Sequence, residues 1–305
     1  MTRAPFPTVV DSTMLSAFRA CPTKFFRQYV EHWKPGERSV HLIAGGAFAE
    51  GVEVARRAFF VEGLPPADAH ALGLQALWRH YGDFAEPEDS PKSAVRMAGA
   101  LEFYFDRYPL GADGATPTRF GSGHGIEFSF AEPLEIRHPV TGDPILYSGR
   151  ADMVADALGG MFLYDEKTTS MLGASWAKKW DHRSQFTAYC WGLRGHGIAP
   201  TGIVVRGISI LKHGYETQQA VTYRSSWEID RWLGQTHRDV QRMIDQWTRG
   251  EWDVNLDESC LAYGGCSLAR ICKSPEPEKW LPLYFHKRKW DPLARTEVPV
   301  VEVGE

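Results

Sequence analysis

The sequence has no apolar run of the length that a membrane-spanning helix needs, which is about 20 residues. The apolar residues 203–205, for example, are followed at once by Arg206. Residues 1–10 also lack the apolar core of a signal peptide. We therefore expect a cytoplasmic protein with no membrane partner.

A strong net charge and a nucleotide-binding loop are missing as well. The 305 residues carry a formal net charge of −4, so any contact with DNA must come from local basic patches. The stretch 111–125 is rich in Gly, Thr and Pro and is predicted to be a loop. Neither this stretch nor any other ends in the Gly-Lys-Ser/Thr of a phosphate-binding loop. This absence argues against an intrinsic ATP-driven motor.

The residues that are present describe an ordinary globular protein with one unusually informative stretch, 146–169. Hydrophobic residues make up 43% and charged residues 24% of the chain, as is typical of soluble domains. Residues 146–154 mix aliphatic and polar residues at the rhythm of a strand, and residues 157–160 supply a turn. Residues 161–164 form a short apolar run that predicts a second strand. The resulting hairpin can bring Asp152 close to Asp165.

Three charged residues end the second predicted strand. Asp165 and Lys167 are two positions apart and point to the same face, whereas Glu166 points to the other. Asp152 and Asp165 would repel each other unless a cation lay between them. Mg²⁺ and Mn²⁺ prefer such oxygen ligands, and the lysine amine can stabilise phosphate charge or help activate water. These residues predict a site that cuts a phosphodiester; a solvated strand end with a surface ion pair is the alternative.

Both strands resemble the motifs of the PD-(D/E)XK nuclease superfamily. Gly149-Arg150-Ala151-Asp152 resembles its G-x-x-D element, and Asp165-Glu166-Lys167 resembles its D-x-K element. The resemblance implies that Asp152 and Asp165 hold Mg²⁺ or Mn²⁺ and that the backbone carbonyl of Glu166 adds a ligand. It also implies that Lys167 orients or activates the attacking water.

A third element lies on the helix predicted after the second strand. Gln185 and Tyr189 are four positions apart and share a helix face. They resemble the Q-x-x-x-Y element of the RecB-like branch, which lines the active site and contacts DNA. Lys178, Lys179 and Arg183 precede this element and are expected to form a phosphate patch, although a solvated helix end would look the same.

One family element departs from its usual form. RecB-type members carry a G-x-x-x-H element on a helix, and its His helps to hold the metal. Counting from Gly45 or Gly46, that position is Ala49 or Glu50 here. Glu50 or Glu53 could supply a carboxylate instead. The resemblance also places Glu127, on the strand predicted at residues 126–130, at the border of the site.

A cysteine-rich segment near the C-terminal end of the sequence is the second strong feature. Cys260, Cys266 and Cys272 have the spacing C-x5-C-x5-C, which in a cytoplasmic chain favours metal ligation over core packing. Resemblance to AddB-type nucleases and the CRISPR-adaptation exonucleases implies a [4Fe–4S] cluster with Cys21 as the fourth ligand. The usual family spacing is C-x2-C-x5-C, so structural Zn²⁺ stays open as the alternative.

The resemblance implies a mixed α/β fold with a PD-(D/E)XK restriction-endonuclease-like core, in which helices flank a central mixed β-sheet. We expect a single nuclease domain over residues 1–305. It would contain a helical insertion at 61–110, a catalytic sheet core at 120–224 and a metal-cluster region at 255–275. Cys21 would complete the cluster, which would then cross-link the chain as a cysteine-cluster staple.

The function implied is a metal-dependent deoxyribonuclease. An exonuclease acting on single strands or DNA ends, in recombination, repair or phage DNA processing, fits best, with a helicase or recombination protein as a partner. Two alternatives stay open. One is a DNA-binding recombination partner with a degenerate nuclease site. The other is a zinc-stapled hydrolase that acts on a small substrate.

Overall fold

A computed structural model of the chain describes residues 4–36, 39–84, 86, 90–121, 123–262 and 265–300, with the backbone alone at 298 and 299. It divides into two compact units. The hairpin unit comprises residues 38–129 and 150–225, and the terminal unit comprises residues 1–37, 130–149 and 226–305. The expectation of a single nuclease domain stays a prediction.

Helices and strands are interspersed along the whole chain. The helices are α1 (Ser12–Ala20), α2 (Pro22–Phe25), α3 (Val40–Phe60), α4 (Pro66–Tyr81), α5 (Ala94–Arg107), α6 (Ala174–Lys178), α7 (Ser184–Gly195), α8 (Ser226–Arg249), α9 (Glu258–Leu261), α10 (Ala269–Cys272) and α11 (Pro277–Tyr284). The strands are β1 (Val9–Asp11), β2 (Trp33–Pro35), β3 (Thr116–Pro117), β4 (Arg119–Phe120), β5 (Gly123–His124), β6 (Ile126–Arg137), β7 (Pro144–Ala157), β8 (Gly160–Thr169), β9 (Gly202–Leu211), β10 (Gly214–Thr222), β11 (Phe285–Asp291) and β12 (Thr296–Pro299). None of the helices in the described ranges is long and apolar enough to span a bilayer.

The hairpin unit is built on a mixed β-sheet. The end of β7 pairs antiparallel with β8, β8 pairs parallel with β9, and β9 pairs antiparallel with β10. Ile208 and Ile210 of β9 pack against apolar residues of α3, α4 and α5. Gly207 faces the other side, where a Cβ atom would lie 2.4 Å from the Trp176 ring of α6. Helices therefore flank the sheet, and the predicted mixed sheet flanked by helices is confirmed.

Helices α4 and α5 occupy most of the predicted helical stretch 61–110. A proline near its start and Gly82 directly after Tyr81 bound α4, while the Ser93 hydroxyl accepts a hydrogen bond from Arg96 N at the start of α5. The two helices and α3 bury a shared apolar cluster that includes Phe48, Leu77 and Leu101. Local sequence accounts for much of this, since proline and Gly82 bound α4, Ser93 caps the start of α5, and apolar periodicity marks the buried face of both helices.

The prediction of a loop at 111–125 is wrong in part, because this stretch contains the two-residue strands β3, β4 and β5. Its backbone is held by β7: Thr118 N donates to Val154 O at 2.9 Å, and Val154 N donates to Gly125 O at 2.6 Å. A Cβ atom at Gly125 would lie 2.2 Å from Val154 O. The glycine that predicted a loop therefore permits a close approach of two strands.

The terminal unit contains the start of β7, with which β1 pairs in parallel. Asp11 Oδ1 accepts a hydrogen bond from Met14 N at 2.8 Å, so Asp11 caps α1 as its position before Ser12 predicts. In the same unit, a Cβ atom at Gly149 would lie 2.2 Å from the ring of Phe130. The first residue of the G-x-x-D element therefore fits against an aromatic ring.

Candidate active site

The β7–β8 hairpin brings the two predicted metal-binding acids to neighbouring strands. Its register pairs Met153 with Tyr164, so Asp152 and Asp165 are the next residues on the two strands. Asp152 Oδ2 accepts a hydrogen bond from the backbone N–H of Glu166 at 3.1 Å. Burial raises the pKa of Asp152, although the ammonium of Lys167 acts in the opposite direction.

Asp165 is the most deeply buried acid of this group, with 1% of its surface exposed. Lys167 Nζ forms an ion pair with its Oδ2 atom, but neither carboxylate oxygen has an aligned hydrogen-bond donor among the described residues. Burial raises the pKa of Asp165 to about 7 even though Lys167 opposes the shift. Burial alone would lower the pKa of Lys167, but the carboxylates of Asp165 and Asp152 outweigh it and raise that pKa.

Glu166 points to the opposite face of β8, as strand alternation predicts. Its carboxylate accepts hydrogen bonds from Arg56 Nη1 at 3.0 Å, from Arg56 Nη2 at 2.5 Å and from the Tyr104 hydroxyl at 2.8 Å. Burial alone would raise the pKa of Glu166, but the Arg56 guanidinium lowers it. The Glu166 side chain is therefore fully engaged by helices, and the metal-ligand role of its backbone carbonyl stays a prediction.

Glu127, on β6, is a further buried acid beside the hairpin. Arg150 Nε lies 2.6 Å from its Oε2 atom, an ion-pair distance, although the pair is not aligned as a hydrogen bond. Burial, with a further contribution from Asp152, raises the pKa of Glu127 to about 8. Its backbone has φ 52°, a left-handed conformation that costs a non-glycine residue about 1–3 kcal/mol.

The two helix acids considered as replacements for the missing His have different surroundings. Glu50 lies 2.6 Å from His80 Nδ1 of α4. Glu53 lies one turn further along α3, accepts a hydrogen bond from Arg57 Nε at 2.8 Å and contributes to the raised pKa of Glu127. Of the two, Glu53 is therefore the acid that acts on Glu127.

The predicted Q-x-x-x-Y element lies on α7. Gln185 Nε2 donates to the Tyr189 hydroxyl at 2.7 Å, so the two side chains share a helix face. Arg183 directly precedes α7, and its positive charge acts to lower the pKa of Lys167, against the effect of the carboxylates.

Two of the three predicted phosphate-binding residues are within electrostatic reach of Lys167. Lys179 Nζ lies 4.4 Å from the centre of the Trp180 ring. Burial lowers the pKa of Lys179, and the charges of Arg183 and Lys167 lower it further. Lys178 ends α6, and its role stays a prediction. The cations Lys167, Lys179 and Arg183 thus form one positive group.

Sequence reasoning missed Arg56, Tyr104 and Arg206, which surround Glu166. Arg56 interrupts the buried face of α3, and Arg206 interrupts the apolar strand β9. A single buried cation within an apolar element requires a partner, and this was the signal available. Its partner could not be named, because Glu166 is 110 positions from Arg56.

The four predicted cluster ligands lie in the terminal unit. Cys21 separates α1 from α2, Cys260 lies in α9, and Cys266 N donates to Cys260 O at 2.8 Å. Burial raises the pKa of the Cys272 thiol, and the other three thiols raise it further. Each of them is therefore within electrostatic reach of Cys272. No disulfide joins the five cysteines, all of which lie in the described ranges. Residues 263 and 264 of the predicted 255–275 region lie outside those ranges.

Within the described part of the chain, no group of three or more His, Cys, Asp or Glu side chains is arranged to hold a metal ion. The predicted cluster, whether iron–sulfur or zinc, therefore stays a prediction. The carboxylate site needs fewer protein ligands, because Mg²⁺ is usually bound through one or two carboxylates with waters and substrate phosphates. Asp152 and the buried Asp165, whose oxygens have no aligned hydrogen-bond donor among the described residues, fit that requirement.

Comparisons with known proteins support both the fold and the family. The sequence profile of the PD-(D/E)XK nuclease superfamily matches residues 12–273, and no curated protein matches the chain. The crystal structure of a protein named as a candidate exonuclease, from Eubacterium rectale, covers 83% of this chain and 87% of its own, with 13% identity and a TM-score of 0.52. The crystal structure of SSO0001 covers 76% and 84%, with 12% identity and a TM-score of 0.31, which is too low to carry weight. The predicted PD-(D/E)XK-like fold is confirmed.

Proposed function

Because the chain belongs to the PD-(D/E)XK nuclease superfamily, we propose that it hydrolyses phosphodiester bonds of DNA with a divalent cation held by Asp152 and Asp165. One observation carries this proposal. Asp165 is buried beside a second carboxylate, and apart from the ion pair with Lys167 its oxygens have no aligned hydrogen-bond donor among the described residues. The single ammonium of Lys167 leaves one of the two carboxylate charges unbalanced, and burial and like charge both oppose ionisation unless a further cation is bound.

The cation proposed is Mg²⁺ or Mn²⁺, with the Glu166 backbone carbonyl as a further ligand. When bound, it supplies positive charge that stabilises the charge developing on the phosphate and makes a bound water more acidic. Lys167, paired with Asp165, orients the attacking water and lies where it can also neutralise a phosphate oxygen. Asp152 holds the neighbouring strand in register through the Glu166 N–H.

Two further acids take the place of the absent motif His. In addition to burial, the charges of Asp152 and Glu53 both contribute to the raised pKa of Glu127, with Asp152 the larger of the two. Glu127 has a buried oxygen without an aligned donor, which is the property expected of a group that faces a cation. Glu50, which is paired with His80, stays the alternative to Glu53 as a metal ligand.

The DNA strand approaches along the positive group formed by Lys167, Lys179 and Arg183. Lys178 extends the basic run, and Gln185 with Tyr189 positions the substrate on the adjoining face of α7. Cations of this kind fix the phosphate backbone without reading sequence. This agrees with a nuclease that has no strict sequence preference.

The finer role proposed is that of an exonuclease on single strands or DNA ends, in recombination, repair or phage DNA processing. The name of the similar protein from Eubacterium rectale, a candidate exonuclease, supports this choice. A helicase or recombination protein is proposed as the partner. Cys21, Cys260, Cys266 and Cys272 are proposed to hold a [4Fe–4S] cluster, with structural Zn²⁺ as the alternative. The effect of the other three thiols on the pKa of Cys272 supports a shared metal centre.

The decisive experiment is digestion of end-labelled single- and double-stranded DNA with Mg²⁺, with Mn²⁺ and with a chelator. We expect cutting only with a divalent cation, and we expect Asp165→Asn and Lys167→Ala to abolish it while the thermal unfolding midpoint stays near that of the wild type. Asp156→Asn is the matched control, because Asp156 is an exposed acid of the same hairpin. Undiminished cutting by Asp165→Asn would remove the assignment of the site.

The absent motif His favours a second reading, in which the protein binds DNA as a recombination partner without cutting it. The same DNA substrates distinguish the two functions. A binding partner shifts their mobility in the presence of Mn²⁺ and leaves them intact, whereas a nuclease shortens them.

A further inference from the structure

The Tyr104 hydroxyl is the centre of a buried polar network behind the proposed metal site. It donates to Glu166 Oε1 at 2.8 Å and accepts from Arg56 Nη2 at 3.2 Å and from Arg206 Nη1 at 3.5 Å. A phenol has one proton to donate and two lone pairs that accept. All three are used, so the orientation of the hydroxyl is fixed by its neighbours.

The network joins five elements and balances its own charges. Arg56 is bound twice by Glu166, and Arg206 Nη1 donates to Asp113 Oδ2 at 2.6 Å. The charged side chains of both pairs are no more than 10% exposed. They come from α3, β8, β9 and the segment before β3, while Tyr104 comes from α5.

Stability alone does not account for this arrangement. Two buried ion pairs lose much of their attraction to desolvation, and well-packed apolar side chains often serve at least as well. Hydrogen-bonded charges do, however, fix geometry more tightly than apolar contacts, because each bond has a preferred distance and direction. Such a network is therefore most useful where a backbone segment has to be positioned to within a fraction of an ångström.

That segment is the end of β8. Glu166 lies between Asp165 and Lys167 in the sequence, so the peptide planes on either side of it set the directions of both side chains. Its N–H is also the donor to Asp152 Oδ2. Holding the Glu166 side chain from behind thus constrains both proposed metal ligands and the lysine together.

We propose that Tyr104 and Arg56 are positioning residues, which hold Glu166 so that Asp152, Asp165 and Lys167 keep the spacing that a divalent cation and a phosphate require. This inference rests on the proposed function of the site. Both side chains are buried and hydrogen-bond to the Glu166 carboxylate. Their effect passes through β8, in the way that residues behind metal ligands commonly set ligand orientation.

The test is Tyr104→Phe, which removes one oxygen and retains the ring that packs edge-on against Phe48. We expect the dissociation constant for Mn²⁺, measured by titration calorimetry, to rise about 10- to 100-fold, as is common when a group behind a metal ligand is lost. We expect kcat for DNA cleavage to fall with it and KM for DNA to stay the same. Tyr108→Phe is the matched control, since Tyr108 lies at the end of the same helix and contacts Arg206 through its ring face at 4.2 Å.

The possible outcomes separate the inference from the proposed function. If Tyr104→Phe unfolds at a lower temperature but binds Mn²⁺ and cuts DNA like Tyr108→Phe, the network only supports the fold and the inference is overturned. If the wild type binds Mn²⁺ and cuts no DNA, the proposed function fails while the Mn²⁺ affinities still decide the role of Tyr104. If the wild type binds no Mn²⁺, both are overturned.

Glu166→Gln provides a second test should Tyr104→Phe not fold. Glutamine keeps an oxygen that can accept from Tyr104 and Arg56, and only the charge and one acceptor are lost. The same weakening of Mn²⁺ binding is expected. Affinity equal to that of the wild type would contradict the inference.

Discussion

Asp152 Oδ2 accepts a hydrogen bond from the backbone N–H of Glu166 at 3.1 Å. This bond joins one proposed metal ligand, Asp152 on β7, to the residue that directly follows the other, Asp165 on β8. One carboxylate oxygen therefore maintains strand spacing. The negative charge of the group is a separate property, and it is what a cation would require. These two contributions can be separated by substitution.

Asp152→Asn should preserve the hydrogen bond and lose the charge. Asparagine retains a carbonyl oxygen that can accept the Glu166 N–H, so we expect an unfolding free energy close to that of the wild type. Mn²⁺ affinity and DNA cleavage should fall by about 100-fold or more, because a ligand charge is lost. Calorimetry, urea unfolding and the digestion assay measure the three quantities.

Asp152→Ala is the informative comparison for that variant. It also removes the acceptor, and a buried N–H left without a partner costs about 1–3 kcal/mol. Asp152→Ala should therefore be less stable than Asp152→Asn and equally inactive. Equal stability of the two variants would show that the hydrogen bond contributes nothing.

Glu53 and Glu50 form a natural pair for testing which helix acid serves the site. We expect Glu53→Gln to weaken Mn²⁺ binding and cleavage by about 10-fold or more, since Glu53 acts on Glu127 beside the site. Glu50→Gln, on the same helix but engaged by His80, should retain both within about twofold. If Glu50→Gln lost more Mn²⁺ binding and DNA cleavage than Glu53→Gln, Glu50 would be the helix acid that serves the site.

Local periodicity accounts for what the sequence could predict of this site. Alternation along β8 places Asp165 and Lys167 on one face and Glu166 on the other, and spacing along α7 places Gln185 beside Tyr189. Both rules need only neighbouring residues. They apply wherever an element is correctly identified.

Contacts between distant segments explain what could not be predicted. Tyr104 and Glu166 are 62 positions apart, so no periodic pattern connects them. In 111–125, β3 pairs with β7 and β4 pairs with β5, while Thr118 and Gly125 on either side of that pair bond to Val154. The composition of the stretch indicates a loop, because these pairings are not visible in it. The left-handed backbone of Glu127 is imposed by its surroundings in the same way.

The cysteine set yields a prediction about metal content. Cys266→Ala, purified without oxygen, should lose the iron or zinc that we expect in the wild type, and with it a visible absorbance band if the metal is iron. Stability should fall as well, because a metal that joins Cys21 to Cys272 closes a long loop of the chain.

Cys190→Ala is the control for this measurement. Cys190 is buried in α7 of the hairpin unit, away in sequence from the other four, so its loss should leave the metal content unchanged. Elemental analysis distinguishes iron from zinc. A wild-type preparation that contains neither would contradict the cluster proposal.

The lowered pKa of His32 should make the free energy of unfolding depend on pH. Burial, aided by three lysines, lowers its pKa from 6.5 to about 4, and its Nδ1 atom is buried without a partner among the described residues. The unfolded chain takes up a proton as pH falls through 6.5, but the folded chain does so only near 4. The contribution of His32 to the free energy of unfolding should therefore decrease from pH 6.5 towards 4, while the raised pKa values of Asp165 and Glu127 act in the opposite direction.

His32→Asn should reduce that decrease, because asparagine does not titrate and tolerates the left-handed backbone at φ 67°. Chemical unfolding at pH 7 and pH 5 gives the comparison, with the exposed His213→Asn as a control. An equal loss of stability in His32→Asn and the wild type would assign the pH dependence to other groups.

The contact between Gly149 and Phe130 has a consequence for how related sequences can vary. A methyl group at position 149 would place its carbon 2.2 Å from the Phe130 ring, so the two positions are sterically coupled across neighbouring strands. A relative with alanine at position 149 should therefore carry a side chain smaller than phenylalanine at position 130. A sequence search that requires glycine at position 149 would miss relatives in which both positions have changed together, although their active-site residues would be intact.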